Sequence, residues 1–283
     1  MTQADNLIDT LRQAEPGLSP KLRRICRHAL DDPVAFIRSS SRQLCQGVGT
    51  SEPTLIRFCQ MFGRSGLAQF RIDLALALAA HGTHSVEPSR EDSRSLNFRD
   101  KQEIARAALP ELAGAKALIF DNGSTLEALA GELHAVQPST VMTTGIDVAR
   151  ILLRQGVHDV LLPGGRLRPE TASVGGSLAE RTLSEMHFDI CVLSADSIDP
   201  HFGISTFSEA EAELNRRMID SSARLIILAD VRKFGQPRLH RIARSDRIDV
   251  LVTNLPEQAP ELGALRDAGV RVVSTVAGSP DPG

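Results

Sequence analysis

The chain has 283 residues, 42% of them hydrophobic and 24% charged, and carries 32 Lys/Arg against 35 Asp/Glu. At roughly 100–200 residues per domain, that length predicts about two domains with a real core. No apolar run approaches the ~18–20 residues that span a bilayer. The start, MTQADNLIDTLRQAEPG, lacks the basic flank and apolar stretch of a signal peptide, so a soluble cytoplasmic protein is expected.

The net charge of −3 is unevenly spread: residues 1–85 carry 10 Lys/Arg against 7 Asp/Glu, and residues 86–283 carry 22 against 28. A basic small part ahead of an acidic large part hints at a nucleic-acid module on a sensor or enzyme. Cys26, Cys45, Cys59 and Cys191 contain no C-x-x-C pair. They predict small buried thiols rather than a zinc cage or disulfide framework. The only lysines are Lys21, Lys101, Lys116 and Lys233; none follows a glycine, which excludes a Walker-A loop. G-x-G-x-x-G, H-E-x-x-H and G-x-S-x-G are absent as well. No cofactor and no metal are expected.

Before residue 81 every strong periodic segment is helical. A helix over 19–31 starts at Ser19-Pro20, a cap followed by proline at the first helical position, and buries Leu22, Ile25, Ala29 and Leu30. Short helices follow over about 33–39 and 40–47, the latter with Leu44 and Cys45 inward. Gly49 suits a left-handed turn, Ser51 can cap the next helix and Pro53 fits its first turn. In that helix, over about 52–62, Leu55, Phe58, Cys59 and Phe62 form the buried face. Ser51, Glu52, Thr54 and Arg57 lie off it. This is a helix-turn-helix pattern, with the motif at about 40–60. Thr54 suits a thymine methyl or a phosphate, and Arg57 a guanine or a phosphate. An ordinary αα-corner with a solvated face is the competing explanation of the pattern.

The stretch SRQLCQGVGTSEPTLIRFCQMFGRSGLAQFRIDLALAL resembles the helix-turn-helix domain of RpiR-type transcription regulators over about residues 19–80. The resemblance rests on Ser51, Thr54, Arg57, Phe58, Cys59, Gly63 and Gly66, then Leu67, Phe70, Leu74 and Leu78 on one face of a closing helix. Cys45 departs from the family's usual alanine. The resemblance implies operator binding through residues 1–80. Residues 81–96, HGTHSVEPSREDSRSL, read as a linker.

After the linker, apolar runs alternate with helical patterns, which predicts an α/β, Rossmann-like domain with a mostly parallel sheet over 97–276, then a tail over 277–283. The whole is therefore a multidomain chain, all-α followed by α/β. Lys116–Phe120 leads into Asp121-Asn122-Gly123-Ser124-Thr125 and a helix carrying Leu126, Leu129, Ala130 and Leu133. Val141-Met142 leads into Thr143-Thr144-Gly145 and a helix with Ile146, Ala149, Leu152 and Leu153. Val160–Leu162 leads to Pro163-Gly164-Gly165-Arg166, and Ile190–Leu193 to Ser194, Asp196, Asp199 and Gly203. Leu225–Leu228 leads to Asp230, Arg232, Lys233 and Gly235, and strands at Val250–Val252 and Val270–Val273 complete the sheet. Strand ends in a parallel sheet line one edge, where ligands bind. Hydroxyls, glycines, Arg166 and Lys233 there suit a phosphate, and the aspartates suit sugar hydroxyls.

The ordered stretches DNGST, GGRL, SVGG, FDICVLSADSID and LADVRKFG resemble the sensor domain of DeoR-type regulators over about residues 100–276. The resemblance implies a fold shared with ribose-5-phosphate isomerase, a phosphorylated sugar or sugar-alcohol effector, and DNA affinity that responds to it. The DeoR family's own winged helix, with its Arg-Arg-Asp-Leu run, is missing, and Asn215 stands where that family commonly has lysine. The expected effector contacts are Asp121, Gly123, Ser124, Thr125, Thr143, Thr144, Gly165, Arg166, Asp199 and Lys233. An active phosphosugar isomerase is the alternative, with Asp121, Asp196, Asp199 and Lys233 as candidates for its base. The isomerases that the resemblance points to carry a Lys- and Gly-rich run ending in Glu-Lys after their aspartate loop; the corresponding segment here, STFSEAEAELNRR, has no glycine and no lysine, so the resemblance implies a ligand-responsive regulator without catalysis, with a repressor and a homo-oligomer (dimer or tetramer) as the family expectation.

Overall fold

The computed structural model describes residues 7–80, 97–157, 159–169 and 171–276. The linker expected over 81–96 and the tail expected over 277–283 lie outside these residues. The chain divides into two compact units between residues 96 and 97.

The first unit is helical: α1 (Leu7–Ala14), α2 (Pro20–Asp31), α3 (Pro33–Arg38), α4 (Ser41–Val48), α5 (Glu52–Met61) and α6 (Leu67–Ala80). Local chemistry sets several boundaries. Asp32 accepts the Ala35 N–H at 2.9 Å at the start of α3. At α4, Ser40 and Gln43 form a reciprocal capping box: Ser40 N–H donates to Gln43 Oε1 at 2.8 Å, and Gln43 N–H to Ser40 Oγ at 3.2 Å. Gly49 ends α4 at φ +68°, the left-handed value its place in the sequence predicts. Phe58, wholly buried, lies 5.4 Å from Phe70, and Phe70 lies 5.7 Å from Phe36. These three rings join α3, α5 and α6 in one core with Leu44, Leu55 and Leu74.

Four expectations need correction here. Neither Ser19 nor Ser51 caps its helix through the side chain; Ser51 Oγ lies 2.9 Å from Thr54 Oγ1 instead. Phe62 falls just beyond the end of α5 and is only half-buried. Cys45 is also half-buried, whereas burial pushes the Cys26 thiol up to about 11 and the Cys59 thiol up to about 12.

The second unit is built on seven parallel strands in the order β12-β11-β9-β6-β1-β2-β3. Their ranges are β1 (Ala117–Phe120), β2 (Thr140–Thr143), β3 (Asp159–Leu161), β6 (Phe188–Ser194), β9 (Ser222–Ala229), β11 (Val250–Thr253) and β12 (Arg271–Ser274). Alternation along the strands feeds two cores. Leu118, Phe120, Ile190 and Val192 pack with α7 (Phe98–Ala108), α8 (Ser124–Glu132) and α9 (Ile146–Arg154). Ile119, Cys191, Leu193 and Ile227 pack with α10 (Ser177–Ser184), α11 (Glu209–Asp220) and α12 (Pro260–Asp267). A parallel sheet covered on both faces needs such near-continuous apolar strands. Leu153, expected inward on α9, is 62% exposed, because the sheet ends at β3 and nothing described packs beyond it. For the same reason β3 itself is only partly buried.

Two antiparallel additions complete the unit: the hairpin β4 (Arg166–Arg168) and β5 (Ser173–Gly175), and a small sheet of β7 (Ser197–Asp199), β8 (Gly203–Thr206) and β10 (His240–Ala243). At Gly203, with φ +101°, any side chain would overlap the Ala243 carbonyl where β8 and β10 approach.

Candidate functional site

On the first unit, the turn at Gly49 sets α5 behind α4, and the Leu55–Phe58–Cys59 face locks it to the core. That leaves Ser51, Glu52, Arg57 and Gln60 exposed, with Thr54 half-buried between them. The Arg57 side chain makes no hydrogen bond or ion pair among the described residues, so its five donors remain available to a partner. The sequence reading missed that Ile56 (37%) and Met61 (51%) share the exposed side of α5. Their signal was available, since both fall off the 3-1-3 spacing of the buried face.

On the second unit, the chain runs from β1 outward through β2 and β3, then returns to the other side of β1 at β6. The direction of winding reverses between β1 and β6, and their carboxyl ends open a crevice there. Register brings the ends level: Phe120 pairs with Thr143 on one side and Val192 on the other. The loops that follow meet. A methyl at Gly123 (φ +122°) would lie 3.1 Å from Ser194 Oγ, and one at Gly145 would lie 3.1 Å from Asn122 Cα. Small residues allow this approach of backbone to backbone.

Asp121 sits in the middle and is buried. Thr144 Oγ1 donates to its Oδ1 at 2.8 Å, and Thr143 Oγ1 accepts the Gly145 N–H at 3.1 Å. Burial pushes the Asp121 carboxyl up, against the Asn122 N–H, the Thr144 hydroxyl, the Arg168 charge and the nearby Asn215 amide, which favour the ionised form. Thr125 is buried and Ser124 half-buried at the first turn of α8, where free backbone N–H groups favour an anion. The hairpin β4–β5 is tied to the same edge, since Val174 N–H donates to Thr144 O at 2.8 Å.

The remaining predicted contacts are placed differently. At Gly165 (φ +107°) a side chain would overlap the Gly175 carbonyl, so only glycine fits there; it shapes the hairpin. Arg166 is exposed on β4. Asp199 closes the β7–β8 turn by accepting the N–H groups of His201 at 2.9 Å and Phe202 at 2.7 Å. Lys233 Nζ lies 3.9 Å from Asp196 Oδ1, and Asp196 Oδ2 accepts the Thr206 hydroxyl at 2.7 Å.

Three further residues were not singled out as contacts by the sequence. Asp230, buried after β9, holds Arg232 through Nε at 3.1 Å and Nη2 at 2.8 Å. Burial works against its charge, but Arg232 and Lys233 outweigh it and keep its pKa below the usual carboxylate range. Lys101 in the first turn of α7 is 5% exposed, and burial lowers its pKa to about 8 despite the pull of Asp230. Asn215 on α11 is completely buried; its amide nitrogen reaches the Asp121 carboxyl only loosely, and its oxygen completes no hydrogen bond among the described residues. Leaving such groups unmet costs about 1–3 kcal/mol. Helical spacing carries a signal for two of them: Lys101 shares a face with Ile104, Ala105 and Ala108, and Asn215 with Ala212, Met218 and Ile219. Among the described residues no cluster of His, Cys, Asp and Glu could hold a metal, and no helix is long and apolar enough to cross a membrane.

The family model of the DeoR C-terminal sensor domain matches residues 96–255, and that of the rpiR-family helix-turn-helix domain matches residues 5–81. A relative from Escherichia coli, named for transcriptional repression of the aga operon, is 38% identical over 191 residues, covering 68% of this chain and 71% of its own. The HTH-type transcriptional regulator GlpR of Haloferax volcanii is 27% identical over 256 residues, 90% of this chain and 97% of that one. Among solved structures, ribose 5-phosphate isomerase A from Neisseria gonorrhoeae aligns over 48% of this chain and 53% of its own, at 14% identity and a TM-score of 0.36. The chain belongs to the DeoR family of transcription regulators, with the DeoR sensor domain following an rpiR-family helix-turn-helix domain.

Proposed function

We propose that this chain binds operator DNA through α5 and releases or tightens that grip when a phosphorylated sugar or sugar alcohol occupies the strand ends of the second unit. Ser51, Glu52, Thr54 and Arg57 would face the major groove. Asp121, Gly123, Ser124, Thr125, Thr143 and Thr144 would surround the effector, with Lys233 as a mobile counter-charge and Gly165, Arg166 and Asp199 at the periphery. The observation that carries the reading is the buried Asp121–Thr144 pair at the winding reversal, beside the first turn of α8. It sets an acceptor for sugar hydroxyls next to donors for a phosphate.

Relatives named as repressors, of the aga operon and of the glycerol-3-phosphate regulon, support repression of a sugar or polyol operon, and a cytoplasmic location fits that role. The domain limits that fit are 1–80 for DNA, 81–96 as linker and 97–276 for the effector. A dimer or larger assembly fits as well, because one helix-turn-helix reads only a short half-site. The sensor acts without catalysis in this reading; α11, the helix that approaches Asp121, offers Asn215 and no lysine to serve as a base.

The test is a gel-shift series with operator DNA and the full chain. Arg57→Ala should weaken binding by about 1–3 kcal/mol if it contacts a base, or lower the salt slope by about one if it contacts a phosphate. Unchanged affinity in a folded Arg57→Ala protein would overturn the assignment. Turnover of a pentose phosphate by the wild-type chain, abolished in Asp199→Ala, would replace the switch by an enzyme.

A further inference from the structure

Asn215 stands out among the polar groups at the strand ends. Thr144 is committed to Asp121, and Thr143 to the Gly145 N–H. Ser197 Oγ donates to Gln236 O at 2.7 Å, and Ser221 Oγ to Met218 O at 3.0 Å. Asn215 differs. Its side chain is wholly buried; its amide nitrogen faces the Asp121 carboxyl in a contact too loose for a well-formed hydrogen bond, and its oxygen has no partner among the described residues. It lies against Asp121, near enough to favour the ionised carboxyl.

A carboxamide offers an acceptor and two donors on one rigid plane, and a neighbouring carboxyl adds another acceptor. A hydroxyl needs both, since it donates once and accepts as well. Two hydroxyls on adjacent carbons would satisfy Asn215 and Asp121 together. Inorganic phosphate, or a phosphate ester without hydroxyls, would leave the amide unmet. A site built around buried hydrogen-bonding groups discriminates strongly against ligands that leave those groups unpaired.

We infer that Asn215 is the specificity-determining residue of the sensor: its buried carboxamide, beside Asp121, reads hydroxyl groups on the carbon chain of a polyhydroxy phosphate ester. This rests on the reading of the strand ends as the effector site. It assigns the two ends of the effector to different elements, the phosphate to the first turn of α8 and the hydroxyl-bearing carbons to α11.

The experiment is calorimetry on the full chain with inorganic phosphate, glycerol 3-phosphate and a panel of pentose, hexose and hexitol phosphates. Wild type should prefer at least one panel compound over inorganic phosphate by tenfold or more. Asn215→Leu should cut that preference by about tenfold, the worth of one or two hydrogen bonds, while its unliganded melting temperature stays level or rises, because an apolar side chain replaces an amide whose oxygen is unmet and whose nitrogen is only loosely engaged. Asn215→Ala provides the same readout if the leucine variant fails to fold. A purely structural asparagine would move the melting temperature and leave the preference intact. If folded Asn215 variants discriminate as wild type does, the inference falls and the effector site stands. If wild type binds none of the probes, the effector-site reading falls and takes the inference with it.

Discussion

Lys101 gives the sharpest test of how the strand-end charges are arranged. It is a lysine at 5% exposure, and burial lowers its pKa from 10.5 to about 8. Replacing it by methionine keeps most of its length and removes its charge. The sign follows from proton counts. Between pH 8 and 10.5 the unfolded chain holds the Lys101 proton and the folded chain has released it, so stability rises with pH across that window. At 1.36 kcal/mol per unit, the full span is about 3 kcal/mol, of which about 1 kcal/mol accrues between pH 7 and pH 9. Cysteines oppose this above pH 9, because burial raises Cys26, Cys59 and Cys191 in the folded state and their thiols ionise first on unfolding. They are common to both proteins and cancel in the difference. The chain contains no Trp and no Tyr, so urea unfolding should be followed by far-UV circular dichroism rather than fluorescence. The stability of wild type relative to Lys101→Met should climb by about 1 kcal/mol from pH 7 to pH 9. A difference that stays flat would mean that Lys101 is not held against its charge, and the burial argument would fail.

Phe58→Ala should destabilise the helical unit by about 3–5 kcal/mol, because Phe58 is wholly buried against Phe62 and Phe70; circular dichroism should lose an early transition and gel shifts should lose operator binding. Gly203→Ala should misfold the β7–β8–β10 sheet, where the new methyl meets the Ala243 carbonyl, and expression as a proteolysis-resistant sensor unit is the check. Ser124→Ala and Lys233→Ala should retain operator binding in gel shifts yet lose the response to a phosphosugar that releases wild type; for Ser124 the loss is about 1.5–3 kcal/mol of effector affinity. Light scattering should give a dimer or larger species at micromolar concentration, and a monomer with and without DNA would count against two-fold operator recognition.

The parts of the fold visible in the sequence are those fixed by near neighbours. The Leu55–Phe58–Cys59 spacing, proline at the start of α2 and Gly49 in its left-handed turn are local, so they read directly. The parallel strands read equally well as apolar runs ended by small residues. The antiparallel pieces β4, β5, β7, β8 and β10 do not, because each holds only one or two apolar residues and so forms no apolar run to detect. Helices α1 and α7 were passed over too, and with α7 went the burial of Lys101. At the strand ends, the meeting of Asp121 with Thr143 and Thr144 follows from a parallel sheet with level ends. The turn-closing task of Asp199 is local, an Asp followed two and three residues on by the N–H groups it accepts, but the pairing of Lys233 with Asp196 and the setting of the Asn215 amide beside Asp121 depend on contacts between segments far apart in sequence. No window of neighbouring residues contains that information.

The strand order also decides how copies of this chain could associate. Among the described residues the sheet is open at both margins, β3 on one side and β12 on the other, and an open margin is a template for another chain's backbone. Here the margins are brief, three and four residues, and each carries a charge held in place: Asp159 accepts the Thr140 hydroxyl at 2.9 Å, and Arg271 pairs with Glu111 at 2.9 Å. Continuing the sheet across a two-fold axis would gain few ladder bonds and would have to strip water from those charges. Assembly of the sensor should therefore proceed through side-chain packing, leaving amide hydrogen exchange at Val160 and Val272 unchanged between dilute and concentrated protein.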